Sequence, residues 1–274
     1  MLKLRDWVDE KNIDWMGLSE NENAIHMLEN NIDKINWSYL SSNIKAIQLL
    51  EKNKNKIDWY YLSANPNAIS LLKKNKKKIN WSMLSLNYNA ISLLKKNKNK
   101  INWKNLSENK NAIELIKQNL NKIDWNCLSL NINAIEILET NIEKINWNLL
   151  SLNINAIELL KKNPNKINWY LLSSNNNAID LLKNNFDKID WDGLCLNQNA
   201  IDLLKNNQDK FIEWNWLSSN PNIFTYDYKL IKHNIKNSGI AEELMAFIFN
   251  PKNMNNWINW GFTEHQEFIE FIDS

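Results

Sequence analysis

The chain has little of what most catalytic, secreted or membrane-spanning proteins require. Its 274 residues include three histidines (His26, His233 and His265), two cysteines, four glycines and four prolines. There is no HExxH, no CxxC and no glycine-rich phosphate loop. His265 lies near Glu264 and Glu267, but a lone imidazole beside carboxylates on a polar helix face is ordinarily solvated, so no metal is expected. The sequence therefore reads as non-enzymatic, with no catalytic residues and no cofactor. So few glycines and prolines leave no visible flexible linker. No apolar run approaches the ~20 residues of a membrane span. The opening stretch from Met1 to Glu10 is too acidic and broken for a signal peptide.

What is present is a repeat. Trp15, Trp37, Trp59, Trp81, Trp103, Trp125, Trp147, Trp169 and Trp191 follow one another at intervals of 22 residues, and Trp214 continues the series after one inserted residue. A fixed period of this length marks a stacked-repeat architecture. In the unit that starts at Ile57, Asp58 stands just before Trp59, where an Asp or Asn recurs and can cap a helix. Ile57 and Leu62 have the spacing of a hydrophobic staple. A first helix (A) is expected from Trp59 to about Ala64. Asn65, an Asn in every repeat, then opens a second helix (B) in which Ala68, Ile69 and Leu72 share a face. Asn75 closes it, as a residue that tolerates left-handed backbone. A leucine-rich repeat has an overlapping period, but the adjacent Leu71 and Leu72 break strand alternation and the slots lack strand-forming residues other than Ile.

The expected fold is all α: an α-solenoid of 22-residue helix-turn-helix repeats with a helical C-terminal cap. Residues 1–12 read as an N-terminal capping helix with Leu4, Trp7 and Val8 on one face. Residues 13–233 read as nine regular repeats and a degenerate tenth, and residues 234–274 as three helical pieces closing the exposed flank. Ten repeats about 9–10 Å apart give a rod or arc near 90–100 Å before curvature. Cys127 and Cys195 lie three repeats apart, roughly 30 Å at that packing distance, too far for a disulfide, which tolerates about 7 Å between Cα atoms. Free thiols fit a reducing, cytoplasmic setting.

The unit I-[ND]-W-x-x-L-[SC]-x-N-x-N-A-I-x-L-L-x-x-N-x-x-K resembles the short Trp/Asn-rich tandem repeats of uncharacterised proteins from large DNA viruses of amoebae and algae. The resemblance covers about residues 13–222 and extends to the closing AEELMAFIFNP segment. It implies helical repeats, a viral origin and a place in the host cytoplasm or the virion, and it implies no biochemical activity.

Three features bear on function. The Trp and Asn ladders could hold an extended peptide, as in armadillo-type repeats. Here, however, the Asn comes six residues after the Trp, in the next helix and on another face. The Trp is expected to pack between repeats and the Asn to cap helices. The recurring Ser (Ser19, Ser41, Ser63 and onward) has no adjacent His to activate it, and Cys195 fills the same slot, which marks a small buried group.

Charge is strongly polarised although the net value is only +2. Residues 52–122 hold 16 Lys against 3 acids, whereas residues 1–51 and 123–274 are both acidic. Lys73, Lys74, Lys76, Lys77, Lys78, Lys95, Lys96, Lys98 and Lys100 all fall at the end of helix B or in the loop after it. They form a candidate anion-binding edge on repeats two to five for nucleic acid or acidic lipid. At the opposite, A-to-B turn, Leu86, Tyr88, Leu130, Ile132, Leu152 and Ile154 occupy slots that are charged in other repeats. They form a candidate partner strip. The expected function is a non-enzymatic scaffold that binds another protein. Weak, sequence-indifferent anion binding and a structural role in a virion are the alternatives.

Overall fold

The computed structural model describes residues 2–210 and 214–238. They belong to two compact units: Leu4–Phe224, which carries the repeats, and a second drawn from residues at the two chain ends. The second unit includes a helix at Tyr228–Asn237 with Asp227 as its cap. The expected helices beyond residue 238, and His265, lie outside the described residues.

Each repeat is a helical hairpin, as its pattern dictates. In the third, helix A runs Trp59–Ala64 and helix B runs Ile69–Lys74, followed by a 3-10 turn at Lys76–Lys78. The Asp58 carboxylate accepts the amides of Tyr60 and Tyr61. Asn80, its counterpart in the next repeat, accepts that of Met83. The staple pair is buried, Ile57 nearly and Leu62 completely. The closing Asn works differently from expectation. Asn75 has φ −122° and ψ 48°, outside the left-handed region. Its Nδ2 instead donates to the Leu71 carbonyl one turn back, at 2.9 Å. Any residue can adopt that backbone, so the slot is Asn for its amide.

Consecutive repeats are joined by side chains that are constant along the chain. Asn109 donates from Nδ2 to two carbonyls of the preceding repeat, Ser85 at 2.9 Å and Asn87 at 3.0 Å. Asn111 donates to the Tyr88 carbonyl at 2.9 Å. The Ser85 hydroxyl donates to the Trp81 carbonyl and accepts the Asn102 amide from the following repeat. The Ser and first Asn slots are at most 2% exposed in every repeat. Buried polar groups must be paired, and here the pairing is what holds neighbours together. The Asn ladder, read from sequence as the start and cap of helix B, does not cap it: helix B begins at Ile69 after Ala68 with no side-chain cap, while Asn65 Oδ1 accepts the Asn67 amide in the turn before it and the Asn Nδ2 ties the repeats.

The same bonds join the last repeat to the first. Asn21 donates to the Ser218 and Asn220 carbonyls at 2.9 Å each. Asn23 donates to the Pro221 carbonyl at 3.0 Å, and Ser218 Oγ accepts the Asp14 amide at 3.0 Å. Helix A of repeat one (Trp15–Glu20) packs directly on that of repeat ten (Trp214–Ser219). The Leu4–Phe224 unit is therefore a closed ring of ten repeats, in place of the open rod. About 36° of rotation per repeat completes the circle, a curvature set by the small turn between neighbours.

The repeat pattern gives way after helix A of repeat ten. After Trp214–Ser219 and a 3-10 turn at Pro221–Ile223, the chain forms a short strand, β2 (Phe224–Tyr226), instead of a B helix. It pairs with β1 (Leu2–Leu4). Residues 1–12, expected as an α-helix, hold that strand and a 3-10 turn at Glu10–Asn12. The Arg5 amide bonds the Ile223 carbonyl at 2.8 Å and Val8 is buried. Asp9 to Ile13 thus supply the turn that would end repeat ten.

Most consecutive A helices pack closely, whereas consecutive B helices stand further apart. In a closed ring the elements nearer the axis are nearer each other. The A helices therefore line the inside and the B helices the outside.

Candidate functional site

Helix A buries its Leu and Ser slots (Leu106 and Ser107, for example) toward helix B, at 0% exposed. At 100° per residue, the second, third and sixth helical positions face the other way, into the ring. These positions vary most between repeats: Met16, Tyr60, Lys104 and Tyr170 at the second, Tyr39, Tyr61, Met83 and Cys127 at the third. Tyr39 stacks on Tyr61 with centroids 6.2 Å apart, and Tyr60 meets Tyr61 edge-on at 5.3 Å. Tyr60 and Tyr170 are 50% and 51% exposed, so the inner wall presents aromatic surface. Toward the A-to-B turn lies a concavity of about 500 Å³ across repeats nine, ten, one and two, lined by residues including Glu20, Glu22, Ile44, Leu196 and Gln198.

The six candidate partner-strip residues sit at the equivalent slots of repeats four, six and seven. Leu86, Tyr88, Leu130, Ile132, Leu152 and Ile154 are all half-buried. Leu86, Leu130 and Leu152 take the sixth position of helix A, on the side facing into the ring. Lys110 lies over the Tyr88 ring at 4.0 Å. The structure places the strip on the inside of a ring, which no linear reading indicated. The wider aromatic wall was missed for the same reason, although variability at the second and third helical positions was visible in the sequence.

Two wall carboxylates have raised pKa values. Glu20 and Glu108 reach solvent, yet each is surrounded by protein on most sides, and desolvation raises both above the ordinary value of 4.5. Cys127, on the same wall, is pushed up to about 11 by burial and by the nearby Asp124 and Glu108 carboxylates. A thiol so protonated is a poor nucleophile. Neither cysteine is in a disulfide, and among the described residues no cluster of His, Cys, Asp or Glu has the makings of a metal site.

The nine candidate anion-binding lysines are exposed. Lys73, Lys74, Lys95 and Lys96 end B helices; Lys76, Lys77, Lys78, Lys98 and Lys100 form the 3-10 turns that follow. Lys100 Nζ sits 4.5 Å above the Trp81 ring of its own repeat. Lys34 over Trp15, Lys122 over Trp103 and Lys144 over Trp125 repeat the contact at 4.5, 5.1 and 4.6 Å. The Trp ladder, expected as buried packing, is half-buried, and Trp15, Trp81, Trp103, Trp125, Trp169 and Trp191 each have a lysine over the ring.

No family model, curated protein or solved structure matches the chain. Among the described residues no helix is long and apolar enough to cross a membrane. The class is an all-α repeat protein whose units form a closed ring.

Proposed function

We propose that the protein is a non-enzymatic ring scaffold that binds another protein on its inner wall, and that it serves a virus in the host cytoplasm or as a virion component. One observation carries the binding reading. The slots that build the ring are nearly invariant from repeat to repeat, while the slots that face its interior are varied and rich in aromatic and aliphatic side chains. Fold maintenance does not demand that variety, and concave surfaces are where stacked-repeat proteins bind. Tyr residues supply large contact area at low entropic cost. The resemblance to viral tandem repeats supports the setting.

The test is affinity capture from infected or transfected cells with the full chain and two variants, Tyr60→Ser/Tyr61→Ser and Leu130→Glu/Leu152→Glu. A partner retained by the parent and lost from either folded variant is the expected result. Equal recovery with both would refute the inner-wall reading.

A second reading has its own support: the nine exposed lysines of repeats three and four give the ring a basic arc for anionic partners. Salt-sensitive capture of a phosphate polymer, lost on charge reversal of Lys73, Lys74, Lys76, Lys77 and Lys78, is its expected signature.

A further inference from the structure

Closure has a geometric consequence for the 3-10 turns. In a ring of equivalent repeats, equivalent residues lie on one circle, and therefore in one plane. The turns that connect each B helix to the next A helix thus share one face of the ring. From repeat one to repeat nine, the nine three-residue segments at these turns (32–34 through 208–210) contain thirteen lysines and four acids. The whole chain has a net charge of only +2, so this face is far more basic than the molecule. The face is also apolar at regular places. The first position of the turn is Lys in repeats two to four, but Ile32, Leu120, Ile142 and Phe186 in repeats one, five, six and eight. These four are 41%, 44%, 49% and 43% exposed. They project at the same level as Lys54, Lys76 and Lys98.

We propose that this face docks on the surface of an anionic lipid bilayer. The inference rests on the anion-binding reading and commits it to one source of phosphate. Lysines alone would suit any polyanion. Exposed aliphatic and aromatic side chains interleaved with them, in one plane, suit an interface with acidic headgroups above and acyl chains beneath. A nucleic-acid backbone gains little from Leu120 or Ile142. Polybasic surfaces are drawn to phosphatidylserine, and apolar insertion adds the second signal that stable attachment needs.

The experiment is flotation of the full chain with phosphatidylcholine vesicles, with and without phosphatidylserine, alongside binding to a DNA duplex. Two variants are compared, Lys76→Glu/Lys77→Glu/Lys78→Glu and Leu120→Ser/Ile142→Ser/Phe186→Ser. Circular dichroism and thermal melting confirm that each keeps the parental fold. The parent is expected to float only with phosphatidylserine vesicles, and each variant to lose roughly tenfold or more in bound fraction. Duplex binding without vesicle binding, or vesicle binding unchanged in the apolar variant, would overturn the lipid assignment and leave a charge-driven anion edge. Binding to neither vesicle nor duplex would remove both readings.

Discussion

The joint between repeats four and five and the joint between repeats ten and one use the same bonds. Asn109 and Asn21 each reach two carbonyls of the preceding unit, and Asn111 and Asn23 each reach a third. They differ in what lies between. The internal partners are 22 to 24 residues apart, whereas Asn21 and Ser218 are 197 apart. In a flexible chain, closing the longer loop costs about 2 kcal/mol more. The seam has no covalent connection across it. That it nevertheless repeats the internal pattern shows that closure comes from the curvature of each repeat. The seam is also tighter. Gly17 stands where other repeats carry Tyr39, Tyr61 or Met83, and a Cβ there would run into the Asn215 carbonyl oxygen and the Ser219 hydroxyl.

The largest effect is expected from the ladder. Asn21→Leu and Asn109→Leu each orphan two buried carbonyls, and each should lose about 2–4 kcal/mol in denaturant unfolding. The two should part in small-angle scattering. Asn21→Leu enlarges the radius of gyration by opening the seam, whereas Asn109→Leu leaves the closed dimensions. Equal behaviour would mean the seam is not the weak joint. Gly17→Ala forces backbone apart at the seam and should destabilise by about 1–3 kcal/mol. The same measurement on Met83→Ala, where a Cβ is already present, should show no opening.

Trp103→Ala should cost about 2–3 kcal/mol by thermal or denaturant melting. That is below the ~3–5 kcal/mol of a fully buried aromatic, because Trp103 is half-buried and part of its worth is the Lys122 contact. The smallest effect is expected at Glu108, whose folded pKa is raised by burial. Between its ordinary value of 4.5 and the raised one, the folded chain holds a proton that the unfolded chain releases, so stability falls as pH rises through that window. Glu108→Gln should raise the melting temperature at neutral pH, with the gain vanishing below 4.5. An equal gain at all pH values would assign the effect to packing.

The hairpins, the Asp and Asn caps of helix A and the Ile–Leu staple were legible in the sequence because each is local: a cap reaches an amide two or three residues on, and the staple pair is five residues apart. The ring was not, because its curvature depends on how much closer the A helices stack than the B helices, and no period encodes that difference. One signal was available. Asp9-Glu10-Lys11-Asn12-Ile13-Asp14-Trp15 resembles the junction between regular repeats, such as Asn75-Lys76-Lys77-Lys78-Ile79-Asn80-Trp81. The charge arc was visible as a list of lysines. That its turns form a plane with Ile32, Leu120, Ile142 and Phe186 required the closed circle.

A closed circle also fixes a number. An open stack of repeats can gain or lose a 22-residue unit by recombination and merely become longer or shorter. Here the seam demands that the rotations sum to one full turn, and an eleventh unit would leave every joint at the wrong angle. Individual slots can drift, as the Ser-to-Cys change at Cys195 shows. The copy number of the repeat is held by geometry, and duplication of a unit is a lesion in this protein where in a linear array it would be a variant.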